Sequence, residues 1–198
     1  MSGPIYVARH GQTEFNRLDR LQGRSDSPLT ELGVAQAGQV GRMVGRLLAS
    51  GGGRPWVVWT SPQGRAAATA RIIAEAAGLE APPRIDERLA EIGGGSYEGL
   101  TRAEVAARTP GGSIHGVLLL RAPDGEPFAE VAARLNDWLD EVRRGPPAIH
   151  LAVSHGGAGR VLRGLWLGLD QPALEALPVP QDALFRLVEG AEERIDCL

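Results

Sequence analysis

Two apolar runs in this chain each end in a histidine followed by glycine. Ile5 to Ala8 leads into Arg9-His10-Gly11, and Ile149 to Val153 leads into Ser154-His155-Gly156-Gly157. A short apolar run bounded by turn residues is consistent with a buried strand. In an open α/β sheet, ligands bind beyond the carboxyl ends of parallel strands, so residues leaving two neighbouring strands meet however far apart they are in sequence. The two histidines are therefore expected to share one site. Gly11 eases that arrangement, because glycine tolerates positive φ and lets a ligand approach the main chain.

A third strand-like run, Trp56 to Trp59, ends in Thr60-Ser61-Pro62 and opens a helical stretch with Arg65 one turn before Thr69. That places Arg9 and Arg65 on one rim. Guanidinium forks match phosphate oxygens, and the free N–H groups of a helix N-terminus after His155 would add to the same electropositive pocket. One strand-end histidine is more often structural than catalytic. Three strand ends carrying anion-binding groups point to a phosphate site.

The wider motifs are Arg9-His10-Gly11 with Thr13 and Asn16, then Gln22-Gly23, Asp26 to Gly33 and Gln36-Ala37. Downstream come Ser61-Pro62 with Arg65-Ala66 and Thr69-Ala70, Leu89-Ala90-Glu91 with Gly95 and Tyr97-Glu98-Gly99, and Val153 to Gly157. Over residues 4 to about 168, and again in the Pro180 to Glu189 strand, the chain resembles the histidine phosphatase superfamily in its phosphoglycerate mutase-like branch. The resemblance implies a three-layer α/β sandwich with a mostly parallel central sheet and helices on both faces. It implies a phosphatase acting on small phosphomonoesters, with His10 as the nucleophile that becomes phosphorylated and water then removing the phosphoryl group. Arg9, Arg65 and His155 would stabilise charge on the transferred group, and Glu91 would be the proton donor. Asn16, Thr13, Gln22, Gly23 and Gly156 would contact phosphate or substrate. Spacing alone does not rank Glu91 against Glu98; the family pattern selects Glu91, whose other reading is a loop carboxylate paired with Arg88. Ser61 and Thr69 are expected to hold the pocket.

Several positions depart from the family pattern. Gly93 and Gly94 stand where acidic and aromatic residues are common, Tyr97 replaces a tryptophan, Gln63 and Gly64 interrupt the arginine block, and Pro127 takes the place of a serine. These put packing near Arg65 and the shape of the cover in doubt. Residues 92–127 look least regular and are expected to cover the pocket, with His115 a solvated or substrate-touching loop residue and His150 structural.

Elsewhere the chain alternates strands and helices, as an α/β layered fold requires. Thr30 is a credible N-cap for a helix whose apolar positions run from Leu32 to Leu47, ending at Gly51-Gly52-Gly53. Further helices are expected at about Gln63 to Ala77, Phe128 to Val142 and Gly157 to Leu167.

The 198 residues are 43% hydrophobic and contain no Pro/Ser-rich linker, which predicts one domain over 1–198. The single Cys197 excludes an intramolecular disulfide. With neither a basic, apolar leader nor a run of roughly 20 apolar residues, the expected location is the cytoplasm, with no membrane partner. A net charge of −3 without a basic stripe argues against nucleic acid. All basic side chains are arginine, a matter of composition rather than chemistry. The expected partner is a small phosphorylated metabolite, with no cofactor and no metal; a homodimer stays open.

Hydrolysis is expected over the alternatives, a cofactor-dependent phosphoglycerate mutase or a non-catalytic phosphate-binding module. A mutase needs a closing cover and extra cations for its second phosphate and carboxylate. The stretch after Glu98 is short, and 92–127 offers only Arg102, Arg108 and Arg121, unless Arg17, Arg20 or Arg24 contributes.

Overall fold

The computed structural model describes residues 3–50, 53–108 and 117–197. Its strands are β1 (Ile5–Arg9), β2 (Trp56–Thr60), β3 (Arg84–Ile85), β4 (Ile149–Ser154), β5 (Ala183–Val188) and β6 (Ala191–Asp196). They form one sheet in the order β3-β2-β4-β1-β5-β6. β3, β2, β4 and β1 run parallel, β5 is antiparallel to β1, and β6 closes a hairpin with β5.

The helices are α1 (Glu14–Arg17), α2 (Glu31–Ser50), α3 (Gly64–Ala77), α4 (Arg102–Arg108), α5 (Phe128–Arg144), α6 (Gly156–Leu167) and α7 (Gln171–Glu175). Side chains alternate across a strand, so the central strands β2, β4, β1 and β5 feed two cores. Tyr6, Ala8, Val58, Leu151 and Val153 pack with Val40 and Val44 of α2 and Ala70 and Ile73 of α3. Ile5, Val7, Trp59 and Ala152 pack on the other side with Leu135, Trp138 and Leu139 of α5 and Val161 and Leu162 of α6. The result is the expected three-layer α/β sandwich.

Local chemistry sets the element ends. Thr30 accepts a hydrogen bond from Gly33 N at 3.1 Å, as an N-cap should. Gly78 ends α3 in the left-handed conformation, φ 71°. The 92–127 stretch carries more regular structure than its composition suggests. Thr101 and Glu104 form a reciprocal capping box, with Thr101 N donating to Glu104 Oε2 at 2.7 Å and Glu104 N to Thr101 Oγ1 at 3.2 Å, and this starts α4. Short 3₁₀ turns at Gly95–Tyr97 and Leu118–Arg121 flank it. No helix among the described residues is long and apolar enough to cross a membrane.

Candidate active site

β1, β2 and β4 are neighbours, and their carboxyl ends deliver Arg9-His10, Thr60-Ser61 and Ser154-His155 to one place. The loops are stitched to the sheet: His10 N donates to Ser154 O at 3.0 Å and Ser61 N to Val153 O at 3.1 Å. The His10 and His155 rings come to rest 5.2 Å apart, centroid to centroid, and both are buried. Close backbone approach explains the glycine after His10. A Cβ on Gly11 would overlap the Gly33 carbonyl oxygen at the start of α2.

His10 Nδ1 lies 2.8 Å from Gly11 O, and its Nε2 lies 3.2 Å from Arg65 Nε. A carbonyl can only accept, so Nδ1 carries the proton and Nε2 keeps its lone pair. Burial first, then the charges of Arg9 and Arg65, hold the imidazole well below its ordinary 6.5. His155 is likewise pushed well below 6.5, chiefly by burial and then by Arg65, His10 and Arg9. Its Nε2 is 2.7 Å from Ser61 Oγ, and its Nδ1 is buried without a partner among the described residues.

Arg65 is 2% exposed and held on several sides. Nη1 donates to Ser25 O at 2.7 Å and Asp26 Oδ1 at 2.9 Å, and Nη2 to Gly23 O at 3.0 Å. Arg9 donates from Nη1 to Val179 O at 2.9 Å, while its buried Nε has no partner among the described residues. Burial lowers Arg9 to about 10, with Glu91 opposing and Arg160, Arg102 and Arg65 adding to the effect.

Glu91 sits at the mouth of α6. Its Oε1 accepts from Ala158 N at 2.8 Å and Ile92 N at 3.0 Å, and its Oε2 from Gly157 N at 3.1 Å. Three main-chain donors fix the carboxyl in place. Arg88 does not pair with it, binding Asp86 and Glu141 instead. Glu98 accepts from Arg24 N, Ser25 N, Ser25 Oγ and Gly94 N, tying the first loop to the cover. Burial acts against its charged form, but these hydrogen bonds outweigh it and lower Glu98 below its ordinary value.

Asn16, Gln22, Gly23 and Gly156 line the cleft together with Arg9, His10, Arg65 and Glu91. Thr13 does not. It is fully buried as the N-cap of α1, accepting from Asn16 N at 3.2 Å, while Asn16 Oδ1 accepts from Thr13 N in return. Its contribution passes through Asn16. Gln22 Oε1 accepts from Ser27 Oγ at 3.1 Å, so its side chain braces the loop as well as facing the cleft. Thr69 Oγ1 accepts from Gly11 N at 3.1 Å, the holding role expected of it. His150 is buried and its Nδ1 accepts from Trp59 Nε1 at 3.0 Å. His115 lies outside the described residues.

Five contributors were not read as part of the site. Arg160 on α6 lines the cleft, as do Arg20 and Arg102, which the sequence offered only as stray cations. Arg160 stands five residues after His155, on the first turns of the helix whose N-terminus was recognised, and that position was its signal. Gln181, before β5, donates to His10 O at 3.1 Å and Asn16 Oδ1 at 3.0 Å. Gln63 was read as a disturbance of the arginine block. It instead accepts from Glu91 N at 2.8 Å and donates to Gly23 O at 2.7 Å, joining the acid segment to the first loop.

The chain is similar in sequence and fold to known proteins. The protein named "Probable phosphoglycerate mutase GpmB" of Yersinia pestis (strain Pestoides F) is 35% identical over 189 residues, 92% of this chain and 83% of that one. The structure of a mycobacterial glucosyl-3-phosphoglycerate phosphatase, complexed with VO3, superposes with a TM-score of 0.77 at 29% identity, over 92% of this chain and 90% of that one. Bacillus stearothermophilus YhfR superposes with a TM-score of 0.77 at 29% identity, over 98% and 95% of the two chains. The family model for branch 1 of the histidine phosphatase superfamily matches residues 5–197. The chain belongs to branch 1 of the histidine phosphatase superfamily.

Proposed function

We propose that this protein hydrolyses small phosphomonoesters through a phosphohistidine at His10. The observation that carries the reading is the hydrogen bond from His10 Nδ1 to Gly11 O, which leaves Nε2 unprotonated in a cleft lined by Arg9, Arg65 and Glu91. Nε2 attacks phosphorus, a P–N bond forms, and the ester P–O bond breaks. Glu91 gives its proton to the leaving oxygen. Water then attacks the phosphohistidine, Glu91 takes a proton from it, the P–N bond breaks and inorganic phosphate leaves. Arg9, Arg65 and His155 stabilise the equatorial oxygens, and Asn16 adds a neutral donor. Positioning and charge stabilisation are most of what phosphoryl transfer asks of a protein.

A mutase is the second reading. The name of the Yersinia relative favours it, and so do Arg20, Arg102 and Arg160, which supply cations that the sequence seemed to lack. One experiment separates the two. Acid-labile phosphohistidine is trapped and mapped to His10, and 3-phosphoglycerate is then assayed with and without 2,3-bisphosphoglycerate alongside phosphate release from a substrate panel. Hydrolysis predominates if the proposal holds; isomerisation exceeding every hydrolysis by orders of magnitude makes the protein a mutase. Full activity in His10→Ala refutes both.

A further inference from the structure

We infer that Gln63 is a positioning residue: acting through Ser61, it holds the hydrogen of neutral His155 on Nε2 and leaves Nδ1 bare. Where that hydrogen sits is a property of the free protein; its use in phosphoryl transfer rests on the phosphohistidine reading.

Two main-chain groups of opposite kind fix the amide of Gln63. Its Oε1 accepts from Glu91 N at 2.8 Å and its Nε2 donates to Gly23 O at 2.7 Å, so a flipped amide would set donor against donor and acceptor against acceptor. Ser61 Oγ lies 3.0 Å from that Oε1 and gives it its one hydrogen, since an amide oxygen can only accept. Gln63 N donates back to Ser61 Oγ at 3.3 Å. The hydroxyl therefore has only a lone pair left for His155 Nε2 at 2.7 Å, and that nitrogen has to be the donor. A neutral imidazole carries a single hydrogen. Nδ1 of His155, buried and without a partner among the described residues, is then bare.

Ser61 and His155 are both buried, which shields these bonds from competing solvent. Burial, then the charges of Arg65 on α3, His10 and Arg9 after β1, and Arg134 on α5, hold His155 well below 6.5, so the form with one hydrogen is the one present at neutral pH. His10 has the opposite tautomer, with its hydrogen on Nδ1 pointing to Gly11 O and its Nε2 bare. One amide thus orders the segment of Glu91 and also sets the proton of the ring that stands beside His10. His155 can accept from a phosphoryl oxygen that still carries a proton, and it donates through Nδ1 only after a second proton arrives there. An apolar side chain at position 63 would keep neither link.

The test reads the imidazole nitrogens by proton–nitrogen correlation NMR of isotope-labelled protein at neutral pH, without substrate, the His155 signals being identified by their loss in His155→Asn. The inference requires the Nε2–H tautomer in the unaltered protein. It requires a shift toward Nδ1–H in Gln63→Leu, where the Ser61 hydrogen has lost its amide acceptor and turns to His155 Nε2, and a return to Nε2–H in Gln63→Glu, whose carboxyl oxygen still accepts from Ser61. An Nδ1–H or doubly protonated ring in the unaltered protein overturns it, as does an unchanged tautomer in Gln63→Leu or a Gln63→Glu protein that behaves like Gln63→Leu. The first reading needs no variant, so a folding failure in Gln63→Leu still leaves the inference open to refutation. Turnover of p-nitrophenyl phosphate by the unaltered protein tests the phosphohistidine reading separately, since the tautomer is read with no substrate present.

Discussion

Arg65 Nε lies 3.2 Å from His10 Nε2, so the imidazole nitrogen that keeps its lone pair faces a guanidinium. That guanidinium is anchored from behind by Gly23 O, Ser25 O and Asp26 Oδ1. A lysine keeps the charge but cannot reach three acceptors and still present a planar N–H to the reacting centre. Arg65→Lys is therefore expected to lower kcat/KM by about 10²–10³-fold, the range for losing one preorganised donor. A loss under threefold in steady-state assays would show that charge alone suffices.

Glu91 is expected to matter in proportion to how badly the leaving group needs a proton. Glu91→Gln should slow alkyl phosphates by about 10²–10⁴-fold and p-nitrophenyl phosphate far less, because p-nitrophenolate leaves unaided. Gly157→Ala should reproduce the pattern, since its Cβ would stand 2.7 Å from Glu91 Oε1 and push the carboxyl aside. Equal slowing of both ester classes in Glu91→Gln would remove Glu91 from the proton-donor role.

Stability should fall as the solution is acidified, and His155 should be one cause. His10 and His155 are held well below 6.5 in the folded protein. Below that pH the unfolded chain binds protons that the native protein refuses, so stability is fully present above 6.5 and declines as pH drops from there toward the depressed native values. Each histidine contributes a slope of about 1.4 kcal/mol per pH unit in that window. Urea denaturation from about pH 7.5 to about pH 5 should show a shallower loss in His155→Asn than in the unaltered protein. Identical slopes would contradict the burial of an uncharged His155.

Arg163 joins α6 to β6 and is 1% exposed. It meets Glu192 through Nε at 2.5 Å and Nη2 at 2.7 Å, donates to Pro178 O at 2.6 Å, and lies over the Phe185 ring. Arg163→Ala removes one partner of a buried pair, and the expected cost is about 3–5 kcal/mol in urea denaturation. A cost below about 1 kcal/mol would mean that water replaces the pair freely.

Activity is expected to survive EDTA. The proposed mechanism gives Arg9 and Arg65 the charge-stabilising position that a divalent ion holds in many phosphotransfer sites, and no group of three or more His, Cys, Asp or Glu that could hold a metal occurs among the described residues. Loss of turnover on chelation, restored by adding one metal back to a still-folded protein, would reverse this expectation.

The parts of the site that lie within a strand end and its next few residues were legible in the sequence. An apolar run followed by His-Gly declares a strand, its carboxyl end and a tight turn together, and this located His10 and His155, while the run ending in Thr60-Ser61-Pro62 located Arg65. Helix positions followed from periodicity and from caps such as Thr30, though the equally local capping box of Thr101 and Glu104 went unread and α4 with it. Only the tertiary structure decided which side chains meet. Thr13 and Asn16 are close in sequence, yet the turn between them sends one into a cap and the other to the cleft. Arg102, Arg160 and Gln181 sit on elements whose distance from His10 is set by strand order and by helix packing on the sheet. Composition and spacing carry no record of those distances. The local run names the candidate chemistry because strand, turn and histidine are covalently adjacent, whereas the residues around that histidine are assembled across the chain by burial of the two cores.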